Sequence, residues 1–362
     1  MFGANSLPAA AHKPKIAFPT VTIAACDRNY PDSEDDMKVY ESISSLQNIE
    51  KGWAMTIGNF DGVHLGHRQI IAAAVAAAKE FDTPGSAVMT FDPHPAIVLH
   101  PEKAPGILTP LTLKKHLLDS LGVDCLILIK DSLDLLNLSP KDFIDNFLMA
   151  TIRPKVLIEG PNFNFGYGRS GDINTLKELA PSRGFEVIEI PARQIELDDR
   201  PQALCSSSLI RGLLEKGRVK AAADVLGTNY RLIGKTIPGR GIGKEIGFAT
   251  ANIDPANQIV PAEGVYAGFV VAGDNISDAA VSTSRRAAAF SIGRAKTFFS
   301  AHTLLVEAHI LEQNVEDLAG KFLAMDFVKK IRNQQRFDNK EQLKTQIARD
   351  CKMTKQILAD NV

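Results

Sequence analysis

The sequence predicts an α/β protein in two units: an N-terminal doubly wound parallel sheet, then a small antiparallel β-barrel with a C-terminal helix. Three observations predict it. At 362 residues the chain exceeds one ordinary domain and can form two compact units that each bury a core. From about residue 53 to 190 short β-branched runs alternate with helical patterns, and continuous apolar strands separated by helices indicate a parallel sheet covered on both faces. After about residue 225 strand patterns follow one another without helices between them, as in antiparallel sheets and small closed barrels.

In order, WAMTIGNF reads as a strand, RQIIAAAVAAAKEF as a helix, SAVMTF as a strand, TLKKHLLDSL as a helix and CLILIK as a strand. PKDFIDNFLMATI follows as a helix, KVLIEG as a strand, DINTLKELAPSRG as a helix and FEVIEI as a strand. Ligands of such sheets bind beyond the carboxyl ends of the strands. GNFDGVH, FDPHP and EGPNFNFGYGRSGD, each directly after a strand, are therefore expected to converge on one crevice. SSLIRGLLEKGRVKAAADVLG is a helical connector, and YRLIGKTI, GVYAGFVVAG, RAAAFSIG and TLLVEAHIL are the barrel strands. GDNISDAAVSTSRR reads as a mobile hairpin tip between two of them. At the end, Asp338 with Glu341 resembles a capping box, and Leu343, Ile347 and Cys351 recur on one helical face. These boundaries divide the chain into 1–36, 37–225 and 226–362.

Composition excludes some function classes. A net charge of -1, with 45% hydrophobic and 23% charged residues, is ordinary for a soluble globular protein and offers no global attraction to nucleic acid or acidic membrane. Cys26, Cys125, Cys205 and Cys351 are scattered with no CxxC spacing, which argues against a zinc site or a disulfide framework and fits a reducing cytoplasm. Lys13 and Lys15 precede IAFPTVTIAAC, a loose imitation of an export signal, but the segment is short and broken by Pro19. The polar run through Asp36 reads as disordered, with folded sequence beginning near Met37, itself a candidate start.

TIGNFDGVHLGH, residues 56 to 67, carries the first chemistry. Gly62 and Gly66 let the backbone approach a bulky anion, and a helix starting near Leu65 presents free N–H groups and the positive end of its dipole. His64 and His67 face the same anion, where imidazole donors would stabilise the charge that builds in a displacement at phosphorus. A zinc pair would need a third ligand, and HExxH is absent. For the two histidines alone, an incidental surface pair stays open.

TIGNFDGVHLGH resembles the signature of the HxGH nucleotidylyltransferase superfamily, in the wording of bacterial bifunctional riboflavin kinase/FAD synthetases. TFDPHP is similar to that family's TFEPHP, LIEGPNFNFGYGRSGD to its G-x-(D/N)-F-x-FG segment, and CSSSLIR to its SST-x-IR segment. The resemblance runs in order from residue 37 to 362. It implies that Gly58, Phe60, Asp61, His64, Gly66 and His67 surround ATP, and that Ser206, Ser207 and Arg211 grip its phosphates, Arg211 neutralising the departing pyrophosphate. Asp92, His94 and Asn162 would line the FMN side. Ser208 and Asp92 stand where the family often has Thr and Glu, and both keep the chemical group. The implied reaction is attack of the FMN phosphate on the α-phosphorus of ATP, with magnesium bridging the ATP phosphates.

GKTIPGRGIGKEIGFATANI, residues 234 to 253, closes neither a P-loop nor a GxGxxG frame. It resembles the riboflavin kinase glycine loop and its PTAN motif, which implies that Gly243, Lys244 and Gly247 contact ATP and that Thr250 and Asn252 bind magnesium and ATP. In TLLVEAHIL, the residues Leu304, Val306, Ala308 and Ile310 alternate onto a core face, which leaves Glu307 and His309 opposite. The resemblance makes Glu307 the base for the ribityl 5′-hydroxyl and puts Arg332 in the place of a recurrent arginine on the flavin side.

This half departs more. Ala249 replaces the PTAN proline, Lys244 an arginine, Lys296 a proline and Ala319 a tyrosine. Two functions follow as expectations. The first is a cytoplasmic bifunctional enzyme taking riboflavin, FMN and ATP with magnesium, with no nucleic-acid or membrane partner. The alternative is an FAD synthetase whose barrel only binds flavin or regulates. Oligomeric state is left open by the sequence.

Overall fold

The computed structural model describes residues 37–130, 132–239, 242–245, 247–294, 304–311 and 318–360. The readings made on residues 1–36, Cys26 and Lys296, and on the side chain of Lys244, lie outside the described residues.

The N-terminal elements are β1 (Lys38–Tyr40), β2 (Ala54–Ile57), α1 (Leu65–Glu80), β3 (Ser86–Phe91), α2 (Pro95–Leu99), α3 (Leu111–Ser120) and β4 (Cys125–Ile129). They continue with α4 (Leu133–Leu136), α5 (Pro140–Asp142), β5 (Val156–Glu159), β6 (Asn164–Phe165), β7 (Gly171–Asp172), α6 (Ile173–Arg183) and β8 (Glu186–Glu189). Six strands form one parallel sheet in the order β1-β4-β3-β2-β5-β8. Strands β2, β4 and β5 are buried along their whole length, which is why they read as unbroken apolar runs rather than alternating ones. Strand order reverses between β2 and β5, so the crevice beyond their carboxyl ends is the natural ligand position.

PKDFIDNFLMATI is helical as expected, but beyond α5 it winds as a π-helix over Phe143–Ile152, with Phe143, Ile144, Phe147, Leu148 and Ile152 buried. Hydrophobic periodicity cannot separate that winding from an α-helix, because it reports only which face is buried.

A hairpin of β9 (Gln194–Leu197) and β10 (Arg200–Leu204) leads into α7 (Ser207–Leu214) and α8 (Val219–Leu226). The barrel elements are β11 (Tyr230–Ile237), α9 (Ile242–Glu245), β12 (Ala251–Asp254), β13 (Gly264–Gly273), α10 (Ile276–Val281), β14 (Arg286–Arg294), β15 (Leu304–Ile310) and β16 (Phe322–Arg332), followed by α11 (Lys340–Ala359). The barrel closes in the order β11-β12-β15-β14-β13-β16. Its interior holds Tyr230, Tyr266, Phe290 and Phe327, with Phe290 and Phe327 ring centroids 4.9 Å apart. Val306, Ala308 and Ile310 face inward as expected, whereas Leu304, at the strand start, is 38% exposed.

Two local expectations are corrected. The N-cap of α11 is Asn339, whose side chain accepts from the Gln342 N–H at 2.9 Å, one residue beyond Asp338. The segment read as a mobile hairpin tip instead folds as α10. Asn275 caps it through the Asp278 N–H at 2.9 Å, and Ala279 and Ala280 pack with Leu113 of α3 and with Ile233, Val271 and Ala324 of the barrel. Small residues allow that close approach. Arg231, paired with Asp326 through two 2.7 Å bonds, adds a third to the Ala280 carbonyl at 2.6 Å.

The two units share a core: Leu108 and the buried faces of α7 and α8 cluster with the barrel interior. They also share backbone pairing. Ile107 N–H donates to the Asn257 carbonyl at 3.1 Å and Ile259 N–H to the Ile107 carbonyl at 3.0 Å. Between them Gln258, 6% exposed, accepts from Ile233 N–H at 2.8 Å and donates to the carbonyls of Arg231 at 3.0 Å and Leu108 at 3.2 Å. Replacing it would strand three buried backbone groups, so Gln258→Leu is expected to cost about 3 kcal/mol, read as a lower urea midpoint.

Candidate active sites

The first site grows from the loop after β2. Phe60, Gly62 and Val63 all take positive φ, at 46°, 90° and 40°. Two non-glycine residues in that region cost about 1–3 kcal/mol each, and the complete burial of Val63 and near-complete burial of Phe60 hold them there. The loop ends at His64, which caps α1. Its Nδ1 accepts from the His67 N–H at 3.3 Å, which leaves the proton of the neutral ring on Nε2. A Cβ on Gly66 would lie 3.2 Å from the His64 ring and 3.4 Å from the Cys205 Cβ, so glycine here gives the ring its place over the first turn.

The two imidazoles are stacked, 3.6 Å between centroids and 18° apart in plane, and the Phe60 edge meets His67 at 5.2 Å. Burial pushes the His64 imidazole down to about 4. Burial, then the charges at His64 and Lys114, put His67 well below the usual histidine range. Both rings are neutral at pH 7. Nδ1 of His67 is buried with no hydrogen-bond partner among the described residues.

Asp61 is the hub beneath them. Buried to 3% exposure, its carboxylate accepts from Leu108 N–H at 2.9 Å and Thr109 N–H at 3.0 Å and from Nη2 of Arg211. Nε of Arg211 donates to the Gly106 carbonyl at 2.9 Å, and the Ser207 hydroxyl to the Asp61 carbonyl at 2.7 Å. Ser206 caps α7 through Leu209 N–H at 3.2 Å. The FDPHP loop also arrives: His94 caps α2, accepting from Ala96 N–H at 3.0 Å, and burial, joined by the charges of Arg211 and Lys114, lowers its pKa despite the attraction of Asp61.

The structure thus brings together Gly58, Phe60, Asp61, His64, Gly66, His67, Asp92, His94, Ser206, Ser207 and Arg211. Asn162 is exposed on the loop after β5, with its carbonyl accepting from Nδ2 of Asn164 at 2.8 Å. Two further residues were not singled out from sequence. Glu159, 3% exposed at the end of β5, accepts from Ile57 N–H at 2.7 Å, and burial raises its carboxyl well above the usual range. Lys114, 7% exposed, donates to the Asn59 carbonyl at 2.8 Å. Its signal in the sequence was a lysine one turn before the buried Leu118 on the core face of α3.

The second site lies on the outer face of the barrel. Register places Asn252 directly opposite Glu307 and Glu307 opposite Ser291, so all three point the same way across three strands. The glycine loop lies over this row. A Cβ on Gly239 would sit 2.0 Å from Nδ2 of Asn252, and one on Gly243 would sit 2.3 Å from the Phe248 carbonyl and 3.3 Å from the Thr250 hydroxyl. Nδ1 of His309 donates to the Ala249 carbonyl at 2.9 Å, and its ring meets the Phe248 ring at 5.4 Å. That bond fixes the turn before Thr250 through the backbone, where a proline would fix it through φ.

A cleft of about 500 Å³ between Phe248 and α11 is lined by Glu341, Lys344, Thr345, Arg349 and Lys352. Gly247, at φ 87°, is exposed beside it. Arg332 is engaged elsewhere: Nη2 holds Oδ2 of buried Asp350 at 2.7 Å and Nε holds Oδ1 at 3.0 Å, tying β16 to α11. Ala319 sits in an exposed turn.

The neutral histidines carry a pH signature. A ring whose folded pKa is lowered leaves the unfolded chain binding the extra proton below about 6.5, so stability falls as pH falls from there toward 4. Between pH 7 and 5, His64 is expected to account for about 2 kcal/mol of lost stability. Urea titrations of His64→Gln should show that much less acid sensitivity than the parent.

Residues 46–201 match the family profile described as FAD synthetase, and residues 226–358 that described as riboflavin kinase. The chain is 32% identical over 321 residues to the bifunctional riboflavin kinase/FMN adenylyltransferase of Escherichia coli (strain K12), covering 87% of this chain and 96% of that one. It is 31% identical over 321 residues to the Haemophilus influenzae protein of the same name, covering 88% and 98%. A crystal structure titled macrolide-efflux protein from Streptococcus pneumoniae superposes with a TM-score of 0.73 at 26% identity, covering 88% of this chain and 99% of that one. Among the described residues no helix is long and apolar enough to cross a membrane. Matched over both units and nearly the full length of its relatives, the chain belongs to the bifunctional riboflavin kinase/FMN adenylyltransferase family.

Proposed function

We propose that residues 226–362 phosphorylate riboflavin to FMN and residues 37–225 adenylylate FMN to FAD, ATP being the donor in both steps. The observation that favours two working sites over an FAD synthetase with a merely flavin-binding barrel is the Asn252–Glu307 cross-strand pair beneath the glycine loop. A barrel that only bound flavin would not need a carboxylate opposite an amide there, nor glycines packed to the limit of their backbone.

In the kinase step Glu307 takes the proton of the ribityl 5′-hydroxyl as that oxygen attacks the γ-phosphorus and the bond from that phosphorus to the β–γ bridging oxygen breaks, releasing ADP. Gly243, Lys244 and Gly247 border the ATP phosphates. Thr250 and Asn252 offer the hard oxygen donors that a magnesium ion takes, and would hold one that offsets phosphate charge. Arg332 acts on the flavin side by fixing α11, whose face forms one wall of the cleft.

In the second step an oxygen of the FMN phosphate bonds to the α-phosphorus while the bond from that phosphorus to the bridging oxygen breaks, releasing pyrophosphate. His64, neutral with its proton on Nε2, donates to the phosphate oxygens at the N-terminus of α1, and His67 stacks on it. Arg211, aligned by Asp61 and Gly106, turns its remaining N–H groups to the leaving pyrophosphate. Asp92, His94 and Asn162 border the flavin side. ATP as donor in both steps favours a cytoplasmic setting.

Incubation with riboflavin, ATP and magnesium should give both FMN and FAD by chromatography, and FAD alone from riboflavin-free FMN. FAD from FMN with no FMN from riboflavin would restrict the barrel to binding. Glu307→Gln is expected to lower FMN formation at least 100-fold, the upper range for loss of a general base being about 10⁴, while FAD formation from supplied FMN stays within twofold.

A further inference from the structure

Lys114 has no role in the two steps above, yet it is almost wholly buried. The side chain leaves α3, whose apolar face is clamped against α10 through Leu113, Leu117, Ala279 and Ala280, and is 7% exposed. Its ammonium donates to the carbonyl of Asn59 at 2.8 Å, which also accepts from the Thr90 hydroxyl at 3.1 Å. An ammonium has three protons to give. Among the described residues no carboxylate lies within the 4.0 Å of an ion pair to receive the others.

The surroundings are those of the reaction centre. Burial lowers the pKa of the ammonium, and Asp61 and Asp92 attract it from a distance against that shift. It acts in turn on His67, at the ATP end, and on His94, at the flavin end, with Arg211 beyond. Lys114 is therefore within electrostatic reach of both the loop expected to hold FMN and the helix end expected to hold the α-phosphate. Burying a cation without a contacting anion is costly, and the cost is recovered if an anion enters. Two anions must meet here, an attacking phosphate monoester and the α-phosphate of ATP, and their mutual repulsion is part of the barrier.

We propose that Lys114 is a catalytic residue of adenylyl transfer: its ammonium bridges the attacking phosphate of FMN and the α-phosphate of ATP. Arg211 faces the leaving group and the histidines supply neutral donors, so Lys114 supplies the positive charge at the bond being formed. No proton leaves it during the step. The new bond is from an FMN phosphate oxygen to the α-phosphorus, and the broken one is from that phosphorus to the bridging oxygen of pyrophosphate.

The inference rests on the adenylylation reading, and parent enzyme separates the two. No FAD from FMN and ATP by the parent would overturn that reading. With the parent active, Lys114→Met should lose at least 100-fold in kcat for FAD formation and raise the KM for FMN, while phosphorylation of riboflavin stays within twofold. Lys114→Arg should recover at least tenfold of that loss, because a cation is restored. A Lys114→Met rate within threefold of the parent overturns the inference. So does an arginine variant as inactive as the methionine one with an unchanged melting temperature. If Lys114→Met melts below the assay temperature, Lys114→Gln, which keeps a donor for the Asn59 carbonyl, is judged by the same limits.

Discussion

The buried carboxylate of Asp61 is the constraint on which the rest of the first site depends. It binds the N–H groups of Leu108 and Thr109 and the guanidinium of Arg211, three groups that reach it from distant parts of the chain. A carboxylate so enclosed is stable only when its lone pairs are filled. The loop that carries His64, the segment 106–109 and α7 are therefore locked to one another before any substrate arrives. Preorganisation of this kind matters most in phosphoryl chemistry, where catalysis is largely positioning and electrostatics.

That lock extends into the barrel. Segment 106–109 pairs with residues 257–259, and residues 257–259 follow the strand that holds Asn252. Above the pairing, α3 rests on α10 and the common core runs through Leu108, α7 and α8 into the barrel. The sites differ in how they handle charge. The first combines neutral imidazoles with a guanidinium held on a buried acid. The second displays an acid and an amide on a strand face under a loop in which glycine is required by space at Gly239 and Gly243.

The departures from the family pattern also gain a physical reading. The turn at Ala249 is fixed by the His309 bond to its carbonyl, which does not depend on the side chain present. Ala319 lies in an exposed turn. Where β16 went unread, the reason is coverage: Ala324, Asp326 and Val328 on its outer face are buried as thoroughly as Phe327 inside, so alternation, the usual mark of a barrel strand, is absent.

By itself the sequence determined the parallel sheet, most barrel strands and the terminal helix, because each follows from local periodicity. The motif residues of both sites stood out through their resemblance to the family, because spacing alone left incidental histidines and a simple helix cap open. Only the tertiary structure decided that Asp61 holds Arg211, that Arg332 holds Asp350, that GDNISDAAV is a docked helix, and that Lys114 is buried against the Asn59 carbonyl. Each of those is a pairing between residues far apart in the chain. Which partner a charge finds is set by burial and packing across elements, and no local pattern records it.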